Sequence, residues 1–184
     1  MNHKENLNLV FNLPELHPRS HMYDASFKFV GPCIDTKLHV SGNLNQSSSS
    51  NSALSHLLDY FQPIDRDNID NTKPILIYFS LGTVFNDNLD IFKTIIDGIC
   101  LYFKKTKNSR KEIKIVISSG GLNENERIND LIVSNEFKDS FIVCKDVPQL
   151  DILERCSLFI THCGMNSINE AVYYGCPMVC INIV

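Results

Sequence analysis

The sequence predicts an α/β fold, an open parallel sheet covered by helices on both faces, and three observations predict it. From Lys73 onward strand patterns alternate with helix patterns. The strands are short, continuous apolar runs of the kind buried on both faces. Polar turns containing glycine follow the first, second and fourth of them, the place where such sheets bind ligands.

The elements follow in order. Residues 1–40 offer two short extended segments, Leu9 to Asn12 and Phe27 to Val30, closed by Gly31-Pro32; two strands cannot make a core alone. Residues 41–72 hold a Ser/Asn-rich tract around Ser47 to Ser50, then Leu54, Leu57, Leu58, Tyr60 and Phe61 at helical spacing, a flexible linker leading into a short docking helix. Residues 73–184 form the main domain. Pro74 precedes the strand Ile75 to Ser80. A helix from Leu89 to Phe103 carries Phe92, Ile95, Ile96, Ile99, Tyr102 and Phe103 on one stripe. Ile113 to Ser118 is the next strand, ending at Gly120-Gly121, and Glu124 to Val133 the next helix. Strands at Phe141 to Cys144, Leu158 to Thr161 and Met178 to Ile183 alternate with helices at Gln149 to Arg155 and Ser167 to Tyr174.

Composition excludes several classes. A formal charge of −4 argues against nucleic-acid binding, which calls for a basic face. The basic run Lys104 to Lys111 follows a helix and reads as its solvated end. The N-terminus has no apolar leader and no apolar run reaches membrane length, so a soluble, cytoplasmic chain is expected. The seven cysteines include no C-x-x-C pair and several lie in apolar stretches, which fits a reducing compartment. Cys163 beside His162 is not read as a metal pair, because adjacent side chains diverge and no second cluster lies nearby.

Leu158 to Glu170 is the most informative segment. An apolar strand runs through His162, Cys163 and Gly164 into a helix beginning near Asn166 and Ser167. Unpaired N–H groups at a helix N-terminus attract anions, Gly164 permits close backbone approach, and His162 adds a donor. Glu170, one turn on, is within reach of sugar hydroxyls. Taken singly, each has a plainer reading: Asn166 or Ser167 as a cap, Gly82 as relief of a strand-ending turn, Glu170 as a solvated position.

Together with Phe29-Val-Gly-Pro32, Tyr78-Phe-Ser-Leu-Gly-Thr-Val-Phe85, Val147-Pro-Gln149 and Gly175-Cys-Pro-Met-Val179, this segment resembles the nucleotide-sugar-dependent glycosyltransferases of the glucuronosyl, plant and macrolide type. The resemblance implies a GT-B fold of two facing Rossmann-like halves, of which this chain would be the truncated C-terminal, donor-binding half. Residues 1–40 would then be a remnant of the acceptor domain. It also implies inverting transfer from a UDP-sugar co-substrate to a small lipophilic hydroxyl compound, usually without a metal and with no other cofactor. By family position Ser80, Gly82 and Thr83 would approach the phosphates with His162, Gly164, Asn166 and Ser167. Val147, Gln149 and Glu170 would lie along the nucleoside, Gln149 and Glu170 holding the ribose.

The departures are specific. Asp146 stands where plant members have the tryptophan that stacks on uracil, Met165 stands where they have a second, as in the macrolide branch, and Cys176 replaces the commoner valine. No catalytic residue is assigned, because the family's general base, a histidine, belongs to the N-terminal domain. His3, His17, His21, His39 and His56 match no motif for it and read as solvated. The alternative is a non-catalytic nucleotide-sugar-binding subunit whose partner chain supplies the acceptor half. A nicotinamide-dependent dehydrogenase is disfavoured, because no G-x-G-x-x-G follows the first strand.

Overall fold

Ile75–Ser80 is apolar along nearly its whole length and becomes β3, the central strand of a five-stranded sheet. The computed structural model describes residues 7–35, 49–68, 70, 72–82, 89–106, 112–120, 124–133 and 135–182. In chain order the other strands are β1 (Asn8–Val10), β2 (Phe27–Phe29), β4 (Ile113–Ser118), β5 (Phe141–Cys144), β6 (Leu158–Thr161) and β7 (Met178–Cys180). The helices are α1 (Ser49–Tyr60), α2 (Leu89–Lys105), α3 (Glu124–Val133), α4 (Gln149–Arg155) and α5 (Met165–Tyr173).

The main sheet is parallel throughout, in the order β5-β4-β3-β6-β7. The chain builds outward from β3 through β4 to β5, then returns to β6 on the other side of β3. The strand order therefore reverses between β3 and β6, and a crevice opens beyond their carboxyl ends. Alternate residues face opposite layers. Tyr78, Val116 and Phe159 pack with Leu54, Leu57 and Phe61 around α1, and with Ile152 and Ala171 from α4 and α5. Phe79, Ile115, Ile117 and Ile160 face the other way, against Phe92, Ile96 and Phe103 of α2 and Ile128 and Ile132 of α3.

Several boundaries differ from the sequence reading. β1 ends at Val10, two residues early, although the Gly31 N–H still bonds to the Asn12 carbonyl at 3.2 Å, and the buried Asn12 accepts the Leu13 N–H on its Oδ1. β2 likewise ends at Phe29, β7 ends at Cys180, and α2 runs on to Lys105. α1 begins inside the serine tract, since serine is tolerated in a first helical turn and the apolar stripe beyond it supplies the packing. β1 and β2 form a separate parallel pair on which Leu9, Phe11 and Val30 stay about half exposed. Asn169 Nδ2 of α5 donates to the Phe11 carbonyl at 2.9 Å and ties this pair to the main domain.

Candidate functional site

Two turns leave the sheet where its order reverses. After β3, Ser80 is buried and its Oγ accepts the Gly82 N–H at 3.2 Å, which fixes the turn from inside. Gly82 adopts φ +75°, a conformation that glycine enters without strain. After β6, the fully buried Thr161 performs the same service, its Oγ1 accepting the Cys163 N–H at 3.3 Å while Cys163 itself takes φ +61°.

The His162 ring lies between these turns. A Cβ built on Gly82 would stand 2.6 Å from His162 Cε1, and one on Gly164 would stand 2.9 Å from Nε2. Both glycines are thus required by contact with one imidazole. The ring is half-buried, with Nδ1 enclosed and Nε2 on the Gly164 side.

α5 begins at Met165, two residues earlier than its sequence pattern indicated, with Gly164 at its cap position and no side chain capping it. The first intrahelical bond runs from the Ile168 N–H to the Gly164 carbonyl at 2.9 Å. The N–H groups of Met165, Asn166 and Ser167 therefore have no acceptor within the helix and carry its positive end. Asn166 is exposed here, and Ser167 is half-buried.

Next to this helix start is a polar cluster that the sequence only partly disclosed. Gln149, the first residue of α4, donates from Nε2 to Glu170 Oε2 and, at 3.4 Å, to Ser167 Oγ. Its Oε1 accepts the Tyr78 hydroxyl at 2.9 Å. Tyr78 is buried and stacks on Phe159 with centroids 4.7 Å apart, and burial pushes its hydroxyl well above the usual phenol range. It stays a neutral donor that orients the amide. The available signal was a tyrosine on an otherwise apolar strand, which needs a buried partner.

Val147 packs half-buried against the core beside α4, and Asp146 is exposed. Thr83 and Gly121 lie outside the described residues, as do His3 and His39. His17 does not conform to the solvated reading. It is half-buried among Tyr23 and Phe29, with ring centroids 5.1 and 5.5 Å away. His56 borders Glu112 and Lys114 at the amino-terminal edge of the sheet, away from the crevice. A hollow of about 440 Å³ at that same edge, lined by Phe61, Asp65, Lys73, Arg155 and Ser157, is likewise remote from His162.

One pairing was not anticipated from the sequence: Cys163 and Cys180 form a disulfide. The parallel register of β6 and β7 pairs Thr161 with Cys180 and so carries residue 163 to a Cα–Cα distance of 5.6 Å from it. A separation of 17 in sequence gives no hint of that proximity.

The geometry meets known proteins at this point. Residues 130–184 match the family described as UDP-glucoronosyl and UDP-glucosyl transferase. The uncharacterized UDP-glucosyltransferase YojK of Bacillus subtilis is 30% identical over 175 residues, 95% of this chain and 34% of that protein. Among solved structures, the glycotransferase of kitacinnamycin superposes with a TM-score of 0.60 at 20% identity, over 97% of this chain and 37% of its own. Os79 from O. sativa, in complex with UDP, gives a TM-score of 0.58 at 23% identity over 94% of this chain and 35% of its own. The chain spans about a third of the length of the relatives it matches.

Proposed function

We propose that residues 73–184 hold the nucleotide portion of a UDP-sugar in the crevice between β3 and β6, on the premise that the chain is a partial member of the UDP-glucoronosyl and UDP-glucosyl transferase family. The observation that carries this reading is the His162 imidazole, clasped by Gly82 and Gly164 beside the uncapped start of α5. A diphosphate there would accept N–H groups from Met165, Asn166 and Ser167 and a bond from His162. Negative charge grows on the leaving diphosphate as its bond to the anomeric carbon breaks, and these fixed donors offset it without rearranging. Gln149 and Glu170, already joined, would meet the ribose, with Tyr78 holding the amide in place.

The whole enzyme, in this reading, inverts the anomeric carbon and transfers a sugar to a hydroxyl of a small lipophilic acceptor. The general base comes from the acceptor half, to which residues 1–40 would belong, with 41–72 as the connection. Among the described residues no helix is long and apolar enough to cross a membrane. A cytoplasmic setting remains part of the proposal, and such a compartment would keep the Cys163–Cys180 pair reduced. The half-exposed apolar residues of β1 and β2 favour a second reading, a donor-binding subunit whose acceptor half is a partner chain. Transfer appearing only on mixing with a co-purifying chain would select it.

Calorimetry with UDP tests the first reading directly. Binding in the micromolar to millimolar range is expected, weakened about 10- to 100-fold in His162→Ala, the loss typical of a charge-assisted hydrogen bond. Absence of heat at millimolar UDP would refute it.

A further inference from the structure

We propose that Cys156 and Cys176 are a peroxide-reactive dithiol that closes into a second disulfide between the β6 and β7 arms. Cys176 is the residue that departs from the family's commoner valine, and donor binding gives it no task. It is buried, as is Cys156, and the two sulfurs lie 3.2 Å apart. Closing to a disulfide requires an approach of about 1 Å.

The surrounding backbone already holds both cysteines in place. The Cys156 N–H is bonded to the Ile152 carbonyl at 2.7 Å and the Cys176 N–H to the Ala171 carbonyl at 2.8 Å. Arg66 lies over the pair. Its Nη2 donates to the carbonyls of Cys156 and Leu153 at 2.8 and 3.3 Å, and its Nε to the Tyr174 carbonyl at 3.2 Å. These acceptors are neutral, so the guanidinium charge acts on the sulfurs beside it. The hydrogen bond shared between the two sulfurs holds Cys176 below the ordinary thiol range; burial opposes this, and Arg66 adds to it. The Arg66 side chain is itself half-buried, and Cys176 keeps about 4% of its surface exposed while Cys156 keeps none.

The chemistry balances with hydrogen peroxide as oxidant. The Cys176 thiolate attacks one peroxide oxygen, the O–O bond breaks, and hydroxide leaves, giving a sulfenic acid. The Cys156 sulfur then attacks the Cys176 sulfur, its proton joins the departing hydroxyl as water, and an S–S bond forms. Two thiols are oxidised and one peroxide is reduced to two waters once the hydroxide is protonated. The pair sits before β6 and β7, whereas Cys163–Cys180 joins their far ends, so the reaction is separable from the nucleotide crevice and does not depend on the function proposed for it.

The test uses the whole chain, reduced and then exposed to hydrogen peroxide, with free thiols alkylated before digestion and mass spectrometry. A peptide pair joined through Cys156 and Cys176 is expected. With it should come a rise in Tm of about 5 °C that dithiothreitol reverses, as for a native-like cross-link. Cys180→Ser, which removes the Cys163–Cys180 link, should keep this response, and adding Cys176→Val to that background, with the far-UV spectrum retained, should abolish it. The proposal is overturned if both cysteines are alkylated only after denaturation, if Cys176 accumulates as sulfinic acid without the link, or if the Cys176→Val, Cys180→Ser double variant still shows the rise.

Discussion

His162 owes its position to two absent methyl groups, those of Gly82 and Gly164. Gly82→Ala would add a Cβ that collides with the ring at a φ of +75°, a backbone setting that costs a residue with a Cβ about 1–2 kcal/mol. We expect UDP affinity to fall about tenfold in Gly82→Ala, and the His162→Ala change to add little in that background, because both act on one ring. Calorimetry on the two single variants and the double variant measures this coupling. Tyr78→Phe should cost about 1 kcal/mol in urea denaturation, since it keeps the stack on Phe159 and removes only the hydroxyl that orients Gln149. His162, Gly164 and Glu170 were legible because they crowd one stretch of sequence. The Tyr78 to Gln149 bond was not, because it spans 71 positions and exists only once two elements pack.

Elements were read most accurately where apolar periodicity was strong. β3, β4, β5 and β6 have the bounds that their continuous apolar runs define, and so do α3 and α4. One failure came where the signal was polar, and the short outer strands β2 and β7 stopped before apolar residues that had been read into them. The first turn of α5 is Met165, Asn166 and Ser167, residues that look like an approach to a helix, and the helix nonetheless starts there because the β6 turn points the chain into it. The stripe of α1 was legible as packing, and its energetic weight follows from the burial of Leu54. Leu54→Ala should destabilise by about 2–5 kcal/mol, whereas Leu101→Ala, on the exposed face of α2, should stay within about 0.5 kcal/mol. Chemical denaturation of the two variants makes that comparison.

At the scale of the molecule, the strand sequence was readable but the strand order was not, because neighbours in the sheet are chosen by crossovers that no local pattern encodes. The same burial that builds the sheet sets a response to alkali. Desolvation pushes the Cys144 thiol up from 9.0 to about 11. The unfolded chain therefore releases this proton first, and stability is complete below about pH 9 and lost as the pH rises toward 11. A loss of roughly 2 kcal/mol is expected from this group. Thermal melts between pH 8 and 11, made less steep by Cys144→Ala, check it. The bond from Asn169 to the Phe11 carbonyl has a mechanical consequence. Asn169 is the neighbour of Glu170 on α5, so the N-terminal strand pair cannot pivot as a free lever. Its rotation must either snap that amide link or twist the helix, turning the adjacent carboxylate with it.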